Sequence, residues 1–149
     1  MPPTVFADAF YWLALARPRD TWHAAIVHWA ATSAATRIVT TDEVLTEFLN
    51  ALSSAGAAGR AYAATTVRNI RNDPQVHVLP QTRDGFAAAL ALYEARPDKQ
   101  YSLTDCRSMV ALQGLGISEV LTNDHHFAQE GFKMPSAMRP RSGSICSWT

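Results

Sequence analysis

Four acidic residues lie where catalytic or metal-binding side chains are often found, beside the ends of short apolar runs or near the starts of helical ones. They are Asp8, Glu47, Asp105 and Asp124. Carboxylates that converge repel one another, and burial raises their pKa unless a positive charge lies nearby. Oxygen ligands suit the hard cations Mg²⁺ and Mn²⁺, whereas zinc favours His or Cys. The four residues therefore predict a divalent-cation site of the kind that assists phosphodiester hydrolysis.

Each of these acids has a simpler explanation when it is taken alone. An Asp at the start of a helix often caps it, and Asp124 fits an ordinary turn between a strand and the next element. Asp8 is harder to explain in this way, because it precedes a strongly apolar segment in which a buried charge needs a partner. Glu43 and Glu47 lie one helical turn apart, but Glu47 is nearer the apolar stripe of that helix and is the better candidate.

Short strand-like runs alternate with longer helical patterns along the chain. The predicted strands are Thr4–Ala7, Arg37–Thr40, Val76–Leu79 and Ser118–Thr122, with Phe132–Met134 as a candidate fifth. The predicted helices cover approximately residues 9–16, 20–36, 42–54, 60–72, 82–95 and 104–115. This alternation indicates an α/β protein with three α/β/α layers and a short, mainly parallel central sheet of four to five strands. Ligands bind beyond the carboxyl ends of such strands, where we expect the four acids to meet.

The composition of the 149-residue chain restricts the class of protein. With 48% hydrophobic and 17% charged residues, the chain is not expected to be intrinsically disordered. No apolar run approaches the roughly 18 residues that span a membrane, and Asp8 interrupts the segment where a signal peptide would lie, so we expect a cytoplasmic protein. The spacing of its two cysteines favours neither a disulfide framework nor a zinc site. Equal numbers of basic and acidic residues, 13 each, argue against a generally nucleic-acid-binding surface.

The domain organisation is expected to be simple. Residues 1–134 are predicted to form a single domain. Residues 135–149 are rich in Pro, Ser and Arg and contain no acid, which favours a flexible or loosely docked tail.

The segments that contain the four acids resemble the acidic motifs of PIN-domain ribonucleases, and in particular of the VapC toxins of bacterial VapBC toxin–antitoxin pairs. These segments are Val5–Asp8, Val44–Glu47, Ser102–Cys106 and Leu121–Phe127. The resemblance extends over residues 4–134 in the order and approximate spacing of that family.

This resemblance implies an endoribonuclease that depends on Mg²⁺ or Mn²⁺ and cleaves RNA to leave 5′-phosphate and 3′-hydroxyl ends. Asp8, Glu47, Asp105 and Asp124 would hold the metal, and Thr122 would orient a water or a carboxylate beside it. Relatives often carry a further acid or hydroxyl after the third Asp, and here Ser108 is the nearby candidate, which favours one tightly held metal over two.

The resemblance also implies two protein contacts. One is a homodimer that brings two active sites together, and the other is a VapB-type antitoxin that lies between the early helices and directs a basic side chain at the acids. Part of the apolar bulk of these helices is therefore expected to be interface; it comprises Tyr11, Trp12, Trp22, Trp29, Phe48, Leu49 and Tyr62.

His125 and His126 are not expected to be metal ligands, because magnesium rarely selects imidazole. In the resemblance, His126 and Phe127 form a turn whose Phe packs beneath the site.

Two other enzyme and signalling classes are disfavoured by specific residues. A haloacid-dehalogenase-like phosphatase needs a second Asp two positions after the first, where this chain has Phe10. A response-regulator receiver needs an Asp after the third strand, where this chain has Pro80 and Gln81. A stand-alone RNA-processing PIN nuclease and a catalytically silent PIN-like interaction module stay open as alternatives.

Overall fold

The computed structural model describes residues 2–138, which form a parallel sheet flanked by helices. The strands are β1 (Thr4–Ala7), β2 (Arg37–Thr41), β3 (Val76–Leu79) and β4 (Val120–Leu121). The helices are α1 (Ala9–Ala16), α2 (His23–Thr32), α3 (Asp42–Ala51), α4 (Gly56–Asn72), α5 (Arg83–Ala95), α6 (Leu103–Leu115) and α7 (His125–Gln129), followed by a 3₁₀ turn at Ser136–Met138.

The sheet has the strand order β3-β2-β1-β4, and all three strand pairs are parallel. Phe6 of β1 pairs with Val39 of β2 on one side and with Val120 of β4 on the other. The first strand of the chain is therefore an inner strand, and its carboxyl end lies next to those of β2 and β4. This arrangement confirms the predicted α/β architecture.

Helices α3 and α5 each begin at a threonine whose side-chain oxygen accepts a hydrogen bond from a free backbone amide. Thr41 Oγ1 accepts a hydrogen bond from the Val44 amide at the start of α3, and Thr82 Oγ1 accepts one from the Gly85 amide at the start of α5. Helix α6 ends at Gly116, whose positive φ of 66° favours glycine. These local signals explain why the starts of α3 and α5 and the end of α6 lie within a residue of their predicted positions.

Several predicted boundaries were wrong, for local reasons. The helix predicted from about residue 20 begins only at His23, because the Asp20 carboxylate accepts the Trp22 amide in a preceding turn. Strand β4 has two residues, and the candidate fifth strand is reduced to a single parallel bridge between Glu119 and Lys133. The predicted turn after Asp124 is the short helix α7.

The core lies between the sheet and the helices. Its largest fully buried apolar side chains are Phe6, Ile26, Phe48, Met109, Leu112, Leu121, Phe127 and Met138. Each side chain of this size stabilises the fold by about 1.5 to 3 kcal/mol when it leaves water. Because Met138 is part of this core, packing extends into the segment predicted as a tail, whose remaining residues 139–149 lie outside the described part of the chain.

Most of the large aromatic side chains of the early helices are part of this core. The expectation that they contribute to an interface was therefore wrong for the buried ones. Tyr11, Trp12, Trp29 and Phe48 are buried within the chain, and the Tyr11 ring packs edge-on against both Trp residues. Tyr62 is 54% exposed. Within residues 2–138, no helix has the length and apolar character needed to cross a bilayer.

Candidate active site

Asp8 and Asp124 are joined through Thr122 at the carboxyl end of the sheet. Thr122 is fully buried, and its Oγ1 donates a hydrogen bond to Asp8 Oδ2 at 2.9 Å. The same oxygen accepts a hydrogen bond from the Asp124 amide at 3.1 Å. Asp8 stands directly before α1, but its side chain forms no capping hydrogen bond there, so the simple capping explanation does not account for it. Thr122 therefore fixes the position of two predicted site residues relative to each other.

Asp105 lies in the first turn of α6 and is buried. Its Oδ2 accepts a hydrogen bond from the Ser102 amide at 3.0 Å, and its own amide donates to Ser102 Oγ at 3.0 Å. This reciprocal pair is a capping box, which fixes the carboxylate at the edge of the site. Asp124 likewise caps α7, where its Oδ1 accepts the His126 amide at 2.9 Å. Asp105 and Asp124 therefore both cap helices and also belong to the acidic group.

The carboxylates influence one another electrostatically. Burial raises the pKa of Asp8 from an ordinary 3.8 to about 7, and the charge of Glu47 contributes further, against the lowering effect of the Thr122 hydrogen bond. Burial also raises the pKa of Asp105, with a contribution from the charge of Asp124. Glu47 is exposed as a whole residue, yet desolvation raises the pKa of its carboxyl group and the charges of Asp105 and Asp124 raise it further. The structure thus brings the four predicted acids into one electrostatic group.

The chemistry of this group fits a hard divalent cation. Within residues 2–138, no Lys or Arg forms an ion pair with any of the four acids. Their mutual repulsion is therefore not balanced by a lysine or arginine side chain, and their oxygens are the ligands that Mg²⁺ and Mn²⁺ prefer.

His126 lies beside two of the acids, although it was not expected to take part in the site. Its Nδ1 is 3.1 Å from Asp124 Oδ1 and 3.5 Å from Asp105 Oδ2. His125 is exposed, and its Nδ1 is 3.9 Å from Asp124 Oδ1. One potential ligand atom from each of Asp124, His125 and His126 can be chosen so that all three lie within 4.8 Å of one another. Phe127, as predicted, is fully buried.

Arg107 and Glu43 form an ion pair beside the acids that the sequence analysis also missed. Arg107 Nε donates to Glu43 Oε2 at 2.9 Å, and both side chains are largely buried. The signal in the sequence was the position of Arg107 between the apolar residues Cys106 and Met109, where a charge requires a partner. Ser108 is fully buried and its Oγ has no hydrogen-bond partner within the described residues.

A cleft of about 600 Å³ adjoins the acids between α3, α5 and α6. Its lining includes Thr46 and Thr104, which directly precede Glu47 and Asp105 in the sequence. Arg83 and Phe86, on the first turns of α5, line the opposite side and are exposed. The cleft therefore borders the segments that carry Glu47 and Asp105, and its volume can hold part of a polymeric substrate.

Comparison with known proteins agrees with this architecture. The chain is similar to Mycobacterium tuberculosis VapC20, described as a sarcin-ricin loop cleaving toxin, with a TM-score of 0.76 and 24% sequence identity over 86% of this chain and 95% of that one. At this identity the similarity shows a shared fold. No curated protein matches the chain. The family model of the PIN domain matches residues 5–133, which is most of the sequence. The chain therefore belongs to the PIN domain family.

Proposed function

We propose that this protein is a metal-dependent endoribonuclease that acts in the cytoplasm as the toxin of a type II toxin–antitoxin pair. The observation that carries the proposal is the group formed by Asp8, Glu47, Asp105 and Asp124, which has no Lys or Arg partner within residues 2–138 and lies in a PIN domain. The shared fold with VapC20, whose described activity is cleavage of an RNA loop, supports this substrate class.

The four carboxylates would hold Mg²⁺ or Mn²⁺. Such a cation, when bound, supplies positive charge to the site and polarises a phosphoryl oxygen. Thr122 orients Asp8 through the hydrogen bond to Oδ2 and holds the Asp124 backbone at the same time. Ser102 holds Asp105 through the capping box. The chain thus keeps three of the carboxylates in fixed positions, so that little reorganisation is needed when a phosphodiester enters.

The cleft beside the acids supports a polymeric and anionic substrate. Arg83 is exposed at its edge and is available to contact a backbone phosphate, and the exposed ring of Phe86 offers a surface on which a base can stack. An RNA strand lying along α5 would therefore pass Thr46 and Thr104 and present a phosphodiester to the carboxylates.

The proposal is tested by neutralising single acids. Asp8→Asn and Asp105→Asn are expected to abolish divalent-cation-dependent cleavage of RNA while circular dichroism stays unchanged, because each substitution removes a carboxylate and relieves repulsion. Asp98→Asn is the matched control, because Asp98 is an exposed Asp outside the group. Cleavage products should carry 5′-phosphate and 3′-hydroxyl ends. Full activity in either site variant would contradict the assignment.

The antitoxin and the homodimer belong to the same proposal. Acids without a Lys or Arg partner within residues 2–138 are a suitable target for a basic side chain of an inhibitor, which would supply the charge otherwise supplied by metal. Leu90 and Tyr93 are exposed apolar residues on one face of α5, with exposed fractions of 39 and 52%, and they favour contact with a second copy.

Light scattering at tens of micromolar and mass spectrometry of proteins that co-purify from the native host test these contacts. We expect a dimer, its conversion to monomer by Leu90→Glu, and a small basic companion protein. A monomeric chain that cleaves RNA and has no companion would instead indicate a stand-alone RNA-processing nuclease. A folded chain that binds partners but does not cleave RNA would indicate a silent PIN module.

A further inference from the structure

We propose that His126 is a ligand of the cation held by the acids, and that this nitrogen makes the site select transition-metal ions such as Mn²⁺ and Co²⁺ over Mg²⁺. This inference rests on the proposed metal site and specifies its chemistry. It also reverses the sequence-based expectation that neither neighbouring histidine binds metal.

His126 Nδ1 lies close to a carboxylate oxygen of each of two acids. It is 3.1 Å from Asp124 Oδ1 and 3.5 Å from Asp105 Oδ2. Two ligands bound about 2.1 Å from one metal ion, at the angles of ordinary coordination polyhedra, are separated by roughly 3.0 to 3.4 Å. The first separation falls in this range and the second lies just above it, so the nitrogen is placed to share a cation with either carboxylate.

Nδ1 of His126 is shielded from solvent and has no hydrogen-bond partner within the described residues, although two carboxylate oxygens lie close to it. A proton on Nδ1 would point past both oxygens and could not bridge to either with good geometry. Ligands of a common ion have this arrangement, because each is directed at the ion and not at its neighbour.

The imidazole packs against a tyrosine that is itself held in place. The ring of His126 packs edge-on against Tyr101, with 5.5 Å between ring centroids, and its backbone amide donates to Asp124. The Tyr101 hydroxyl in turn donates to Glu130 Oε1 at 3.1 Å, and Arg96 contacts both oxygens of Glu130. These contacts hold the tyrosine ring against one edge of the imidazole and so limit the rotation of the imidazole.

An imidazole ligand changes the metal preference of the site. Magnesium binds almost entirely through oxygen, whereas divalent ions of the first transition row accept nitrogen readily and bind mixed sites more tightly along that row. One nitrogen among carboxylates therefore shifts selection toward Mn²⁺ and, more strongly, Co²⁺. His125 is exposed, and its Nδ1 lies 3.9 Å from Asp124 Oδ1, farther than that of His126, which makes it a matched control.

The test uses the full chain without a histidine tag. Pulsed electron paramagnetic resonance of the Mn²⁺-loaded protein should show coupling to a directly bound nitrogen, and this signal should be lost in His126→Gln and kept in His125→Gln. By calorimetry, His126→Gln should weaken Mn²⁺ and Co²⁺ binding by roughly tenfold or more and leave Mg²⁺ binding unchanged, because only the nitrogen ligand is removed.

The outcomes separate this inference from the proposed function. If Mn²⁺ binds the wild-type chain with no nitrogen coupling, or if His125→Gln alone removes the coupling, the assignment of His126 is overturned while the acidic site stands. If His126→Gln does not fold, the wild-type and His125→Gln spectra still decide the question. If no divalent cation binds and RNA is not cleaved, the proposed function itself fails.

Discussion

Arg107 and Glu43 form a largely buried ion pair that joins the two helices on which Asp105 and Glu47 lie. The Arg107 Nε to Glu43 Oε2 distance is 2.9 Å, and Arg107 Nη2 also approaches the Pro80 carbonyl oxygen at 3.5 Å. Asp105 lies two residues before the Arg, and Glu47 lies one helical turn after the Glu. The pair therefore determines the spacing between two carboxylates of the acidic group without belonging to it.

Removing one member of this pair should be costly. Arg107→Met is expected to lower the free energy of unfolding by about 3 to 5 kcal/mol, because the Glu43 carboxylate is then buried without a counter-charge. Urea denaturation measures this loss. Lys99→Met, at an exposed pair with Asp98, is the control and should cost at most about 1 kcal/mol. Adding Glu43→Gln to Arg107→Met should recover part of the loss, and no recovery would contradict the pairing.

Gly85 should be sensitive to the smallest side chain because Arg107 packs against it. A Cβ atom at Gly85 would lie 3.0 Å from Arg107 Nε, whereas one at Gly114 would have no neighbour within 4 Å. Both glycines lie in helices, where Ala is ordinarily preferred by about 1 kcal/mol. Gly114→Ala is thus expected to raise the melting temperature and Gly85→Ala to lower it. Equal shifts in the two variants would show that the guanidinium moves aside freely.

Thr122 should be required for its hydroxyl and not for its shape. Thr122→Val keeps the volume but removes the donor to Asp8 Oδ2 and the acceptor for the Asp124 amide. We expect a loss of about 1 to 3 kcal/mol in the free energy of unfolding and a further rise in the pKa of Asp8. Thr122→Ser should retain most of the stability and any nuclease activity. A Val variant as stable as the Ser variant would contradict the role of the hydroxyl.

Stability without divalent cations should decrease as the pH rises. Folding raises the pKa of Asp8 from 3.8 to about 7, so between these values the folded chain binds more protons than the unfolded one. The free energy of unfolding therefore falls across this range, by an amount on the order of 4 kcal/mol from Asp8 alone. Glu47 and Asp105 act in the same direction, because their pKa values are also raised.

Thermal unfolding in a chelating buffer between pH 4 and pH 8 checks this trend. Asp8→Asn should flatten the curve, and saturating Mn²⁺ should restore stability at the upper end, because the cation binds only the ionised folded cluster. Stability that rises from pH 4 to pH 7 in the chelator would contradict the description of the site.

The parts of the fold that could be predicted are those specified by neighbouring residues. The bounds of β1, α1 and β3 were predicted as they are, because each element has a clear hydrophobic pattern and a defined end. The extent of β4 depends on its pairing with β1 and on the bridge at Lys133, which no local pattern reports. For the same reason the burial of Tyr11 and Trp12 could not be distinguished from an interface role.

The acidic group was predictable because parallel strands place their carboxyl ends at one edge, and this follows from topology. The catalytic roles of its members stay predictions. The place of His126 was not predictable, because it depends on α7 forming in place of a turn and on the approach of α6. The Arg107 pair depends in the same way on contact between α3 and α6, which are far apart in the sequence.

The hydrogen bond between Thr122 and Asp8 joins residues that are 114 positions apart. A ribosome that adds about 5 to 20 residues per second needs roughly 6 to 23 s to make the second residue after the first. Until β4 has been made, a growing chain has one flank of β1 uncovered and lacks Thr122, Asp124 and His126. A fragment released before that point therefore cannot complete the acidic centre, and the cell meets an assembled centre only after these residues have been made.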